Sequence, residues 1–157
     1  MKMLTKSDVE RLGEEAKSAK RLRTALPIHD DPSDPIQRVI MVAQPQTYVA
    51  PHRHPDKSWE MILLIKGAID LLLFSDDGVV EKRVSLSEGG DRLLEYPADE
   101  YHSAVIMAED TLVLELKEGP YDPATAKDMP SWAPEEGELE ADAFNARLRT
   151  LQPGDQA

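Results

Sequence analysis

The sequence predicts an all-β fold: a small single-domain jelly-roll β-barrel with an N-terminal helix and a C-terminal irregular and helical tail. Residues 37–117 break into short runs rich in Val, Ile and Leu, separated by turn residues at the intervals of antiparallel sheet. A stretch of helical periodicity precedes these runs and a Pro-rich stretch follows them. The length of 157 residues suffices for one hydrophobic core and is short for two.

Taken in order, residues 5–24 read as a helix, because Val9, Leu12, Ala16, Ala19 and Leu22 recur at helical spacing and Ser7 with Glu10 fits a capping box. Pro27 marks its end. Lys17, Lys20, Arg21 and Arg23 crowd its last turns, where cations complement the carbonyl end of a helix. The strand candidates are RVIMVA, TYVAPHRH, EMILLIK, AIDLLLF, VVEKRVSL, RLLEY, HSAVIMA and TLVLELK. Asp77-Gly78 is a hairpin signal between two of them, and Glu109-Asp110 is a second turn. Eight strands joined by short turns fit a closed or double-sheet barrel, since closure removes the unpaired edges that a flat sheet exposes. After Gly119-Pro120 the chain is Pro-rich through Pro134, and Phe144, Leu148 and Leu151 then share one face of a short helix. The expected division is an N-terminal helix over 1–26, a barrel over 27–118 and a tail over 119–157 that packs on the barrel.

Composition removes several function classes. No apolar run approaches the roughly 20 residues needed to cross a bilayer, so a membrane partner is not expected. The N-terminus turns acidic before it could form the apolar centre of an export signal, so a cytoplasmic location is expected. A net charge of −12 without any basic stripe repels phosphate backbones and excludes nucleic acid as a partner. With no cysteine, disulfides and thiolate chemistry are absent, and a metal ion would have to be held by imidazole nitrogen and carboxylate oxygen.

Such a set is present. In an extended segment His52 and His54 project to one face and Arg53 to the other. Glu60 begins EMILLIK and shares a face with Ile62 and Leu64, the barrel interior. A carboxylate among aliphatic side chains is costly to desolvate, and a divalent cation offsets that cost. His102 opens a later strand, directly after the turn at residues 97–101. His52, His54, Glu60 and His102 are therefore the candidate metal ligands. Tyr48, by strand parity with His52 if extension persists through Pro51, and His29, before the barrel at a position that resembles one near the cavity mouth of the family named below, are the candidate catalytic side chains, with Glu95 a further candidate base.

The spacing of His52, His54, Glu60 and Gly67 resembles the first cupin motif, and Gly90 followed by Pro97, Asp99 and His102 resembles the second. The gap from His54 to Glu60 is longer than the commonest spacing, and Asp99 and Ile106 replace the usual Gly and Asn. The stretches YVAPHRHPDKSWE, LLLFSDDG, YPADEYHS, LELKEGPYDP and SWAPEEG narrow the resemblance to WbuC-type cupin metalloproteins, across residues 37–137. The resemblance implies one divalent transition metal ion (Fe, Mn, Zn or Ni), a homodimer, and a link to polysaccharide and O-antigen biosynthesis.

Three imidazoles and one carboxylate leave two positions of an octahedral ion open to a ligand. The primary expectation is a metal-dependent enzyme acting on a small polar metabolite such as a sugar or sugar nucleotide. The alternatives are a metal-dependent small-molecule binding or sensing module without turnover, and an Fe(II)-dependent dioxygenase. A metal-free epimerase would need a His and Tyr acid-base pair in place of the quartet.

Overall fold

A computed structural model describes residues 1–157. Helix α1 spans Lys6–Ser18. Its N-cap is Thr5 rather than Ser7: the Asp8 amide donates to Thr5 Oγ1 (3.2 Å) and the Thr5 amide donates to Asp8 Oδ2 (2.9 Å). The helix also ends six residues short of the predicted boundary. Leu22 takes a positive φ of 52°, and the chain passes into strand β1, Arg23–Pro27. Pairing with β2, Ile36–Ala43, satisfies the β1 backbone, and this tertiary pairing overrides the helical periodicity of the preceding segment.

The remaining strands are β3 (Trp59–Lys66), β4 (Ala68–Phe74), β5 (Val80–Ser87), β6 (Leu93–Pro97), β7 (Tyr101–Ile106) and β8 (Thr111–Glu118). Two antiparallel sheets face one another, one ordered β1-β2-β8-β3-β6 and the other β5-β4-β7. Asp77-Gly78 does close the β4–β5 hairpin, with Gly78 at φ 86°. Glu109-Asp110 is a corner instead, since β7 and β8 belong to different sheets. Another sheet-to-sheet corner is Gly67, at φ 89°, where an added Cβ would lie 2.9 Å from Thr111 Cα. The predicted strand over 47–54 does not form: residues 47–51 are irregular, and the segment joins its neighbours only by isolated bridges, His52 to His102 and Arg53 to Asp128.

Period two sorts the side chains. Ile62 and Leu64 of β3, Ile69, Leu71 and Leu73 of β4, Ile106 of β7 and Val113 of β8 fill the space between the sheets. On the outer face of the large sheet, Leu12 and Ala16 of α1 cover Ile40, Val42 and Leu112. Outside the small sheet lies helix α2, Ala141–Leu148, which with Leu151 packs on Leu72, Phe74, Val80 and Val105. Arg83 locks this tail down: it donates to Asp70 Oδ2 through Nε (2.9 Å) and Nη2 (2.5 Å), and to the carbonyls of Leu148, Arg149 and Leu151.

Candidate metal centre

The fold brings the four predicted ligands to one end of the barrel interior. Segment 52–54 lies between β7 and residue 128, so that His52 exchanges backbone hydrogen bonds with His102 (3.0 and 2.9 Å) and Arg53 exchanges them with Asp128 (3.0 and 2.9 Å). His52 and His54 consequently point inward. Arg53 points outward, its guanidinium 4.4 Å from the centre of the Tyr101 ring. Tyr101 is followed by the inward His102, as alternation on β7 requires. From the opposite sheet, Glu60 of β3 completes the group.

All four side chains are buried, none above 6% exposed. Ligand nitrogens of His52, His54 and His102 lie within 4.8 Å of one another, close enough to hold a single metal ion. Glu60 Oε2 is 3.1 Å from His54 Nε2 and 3.3 Å from His102 Nε2. The protons of these imidazoles are turned away: His52 Nδ1 donates to the Ala50 carbonyl (2.8 Å), His102 Nδ1 to the Glu100 carbonyl (2.8 Å) and His54 Nδ1 to the Ala126 carbonyl. A carbonyl only accepts, so each bond assigns the proton to Nδ1 and leaves an Nε2 lone pair. His54 Nε2, His102 Nε2 and Glu60 Oε2 are buried without a hydrogen-bond partner. One proton could reconcile only one pair of these atoms. A divalent cation satisfies them together, and carbonyls orienting the far side of the ring are the usual support for metal-bound histidines. The residues present fit a metal.

The electrostatics agree with a neutral imidazole at His52. Burial, with the neighbouring His102, Lys127 and His54 adding to it, holds His52 well below the ordinary histidine pKa. Burial pushes the Glu60 carboxyl up, and the charge of Lys117 opposes that.

Tyr48 is not at this centre. Its hydroxyl donates to the Pro134 carbonyl (2.8 Å), and its ring packs 6.1 Å from Phe144 in the cluster outside the small sheet. Irregular backbone over 47–51 breaks the parity that would have aligned it with His52. His29 lies beyond β1, its Nδ1 3.1 Å from both the amide and the carbonyl of Arg38, apart from the three clustered histidines. Glu95 is exposed, and its neighbour Tyr96 turns inward. Tyr96 stands directly across from Glu60 in the β3–β6 pairing, its ring 5.0 Å from that of His102. Burial and the charges of Glu60 and Glu115 raise its phenol well above the ordinary value, so it stays protonated.

A family model described as a domain of unknown function (DUF6016) matches residues 4–86, more than half of the chain. The chain belongs to this family. No curated protein matches it. Solved structures share the fold. KdgF from Halomonas sp. aligns with a TM-score of 0.51 and 19% identity, over 65% of this chain and 82% of its own. A cupin superfamily protein from Desulfitobacterium hafniense aligns at 0.51 and 12% identity, over 68% and 86%. The capsular polysaccharide assembling protein CapF from Staphylococcus aureus aligns at 0.53 and 16% identity, over 68% of this chain but only 32% of its own. The DUF6016 member therefore has the cupin fold, and its three-histidine cluster sits inside that barrel.

Proposed function

We propose that this protein is a metal-dependent enzyme acting on a small polar metabolite, with His52, His54, Glu60 and His102 holding one divalent transition metal ion, Fe, Mn, Zn or Ni. The observation that carries the proposal is the convergence of buried lone pairs with no proton among them. An ion held there supplies Lewis-acid polarisation of a substrate oxygen. Glu60 and the three imidazoles position it, while the Ala50, Glu100 and Ala126 carbonyls keep the rings turned toward it. Tyr96, protonated and beside Glu60, is placed to donate a hydrogen bond at the same level of the cavity.

The sequence resemblance to WbuC-type cupins and the shared fold of CapF, a capsular polysaccharide assembling protein, support sugar or sugar-nucleotide chemistry in polysaccharide biosynthesis as the setting. On this reading the chain forms one domain, works in the cytoplasm as a homodimer and binds neither nucleic acid nor membrane; no helix is long and apolar enough to cross a membrane. A second reading, a metal-dependent binding or sensing module, is favoured by the position of Tyr48 and His29, which leaves neither as a base at the centre.

Elemental analysis of untagged protein tests the proposal. About one equivalent of one transition metal in the parent, and almost none in a folded His54→Ala/His102→Ala variant, is the expected result. Equal, negligible metal in both overturns it. Turnover of candidate sugars by the loaded protein then separates enzyme from binding module, and activity that persists without oxygen excludes the Fe(II) dioxygenase alternative.

A further inference from the structure

The two oxygens of Glu60 face different groups. Oε2 lies 3.1 Å from His54 Nε2 and 3.3 Å from His102 Nε2, the atoms left with lone pairs and no proton. Oε1 lies 3.9 Å from Lys117 Nζ, an ion pair rather than a hydrogen bond. Lys117 stands directly across from Glu60 in the β3–β8 pairing, so the two side chains rise from one face of the sheet. Both are withdrawn from water, the carboxylate at 3% exposure and the ammonium side chain at 16%.

The ammonium is itself held in place. Glu115, two residues earlier on β8 and on the same face, takes Lys117 Nζ at 2.7 Å. Gln37, across from Lys117 on β2, is engaged elsewhere, since its Nε2 donates to the carbonyls of Pro32 (3.1 Å) and Asp34 (2.9 Å). Glu118, the next residue along β8, accepts the Ser58 amide (2.5 Å). Lys117 therefore bridges two carboxylates of the cavity wall, Glu115 as its anchor and Glu60 as the group it faces.

A carboxylate can meet a metal ion through one oxygen or through both. Through both, Glu60 and three imidazoles leave one position of an octahedral ion free; through one, they leave two. A small rotation of the carboxylate separates these arrangements, so whatever holds Oε1 decides between them. We propose that Lys117 is a positioning residue of the metal centre: by holding Oε1 it limits Glu60 to ligation through Oε2 and keeps open the second position at which a small ligand meets the ion. The inference rests on the metal reading above and adds to it the group that sets how many positions are free. Charge acts in the same sense. If Oε1 turned to the ion, the ammonium would lose an ion pair where little water can replace it.

Water-proton relaxation by bound Mn(II), which counts the water molecules on the ion, tests this in the full chain. The parent is expected to hold about two such waters and Lys117→Met about one, so that the relaxation enhancement per bound Mn(II) falls about two-fold. A merely structural role for Lys117 would lower the melting temperature and leave the water count at its parental value. Because Lys117→Met deprives Glu115 of its ammonium, Glu115→Gln/Lys117→Met, which strands no carboxylate there, is measured beside it and should show the same fall. An unchanged count in these variants at parental Mn(II) content overturns the positioning role and leaves the metal reading standing. Loss of Mn(II) from both variants also overturns it, since Lys117 would then be required for binding itself rather than for its geometry. Failure of the parent to take up Mn(II) removes the metal reading and the positioning role together.

Discussion

Nε2 of His54 stands 3.1 Å from Oε2 of Glu60 with no proton to place between them, because the imidazole's proton is on the far side of the ring, bonded to the Ala126 carbonyl. Two acceptors at that distance, both buried, destabilise the metal-free protein. Added metal at about one hundred times its Kd should therefore stabilise the fold by about 2.7 kcal/mol, by mass action. For a chain of this length that is a rise of roughly 5–10 °C in Tm. Thermal melts with and without Mn(II) or Zn(II) check this, and His54→Ala/His102→Ala should show no shift.

Arg83 is the only cation facing the buried Asp70 carboxylate in their pair, and the same guanidinium ends on three carbonyls of the tail. Arg83→Met would leave Asp70 charged and unpaired and release the tail carbonyls. Breaking a buried pair in this way costs about 3–5 kcal/mol. Urea unfolding should report that loss, while Asp70→Asn/Arg83→Met should recover part of it.

The tail is also clasped by Glu136, whose carboxylate meets Arg21 Nε at 2.6 Å and Arg23 Nη2 at 2.5 Å. Burial pushes its carboxyl up, but the two arginines outweigh this and hold it below its ordinary 4.5. A carboxyl whose pKa is lower in the folded state stabilises the fold fully above its unfolded value, and that contribution disappears as pH falls through the folded value. Glu136→Gln should thus lower stability by about 1 kcal/mol at neutral pH. The difference between variant and parent melting temperatures should close as pH is taken down below 4.5.

Removing the Tyr48 hydroxyl should not touch the centre. Tyr48→Phe leaves the Pro134 carbonyl without its donor, which costs about 1 kcal/mol. Metal stoichiometry and any activity of the loaded protein should be unchanged. A large loss of activity at intact stability would show that the tail face takes part in function.

The grouping of the candidate ligands was legible because it obeys short-range rules. His52 and His54 are two apart, and Glu60, Ile62 and Leu64 alternate with residues of the other face, so one strand's geometry suffices to aim them. Tyr96, Glu115 and Lys117 obey the same alternation, yet placing them at the centre needs the register of β3 against β6 and β8, a long-range property. Without it, the exposed Glu95 reads as well as Tyr96. The helix end was misplaced for the complementary reason: residues 19–24 carry helical periodicity, but Arg23 and its neighbours gain more from pairing with β2.

The hydrogen bond from His54 to the Ala126 carbonyl ties a candidate ligand to a point 72 residues downstream. As the chain is synthesised, all four candidate ligands are present once His102 has been added, but the ring of His54 has no fixed tautomer until Ala126 has followed it. The buried donor set is thus fixed late in biosynthesis, by a backbone oxygen rather than by a further side chain, and before that point its members are more loosely held.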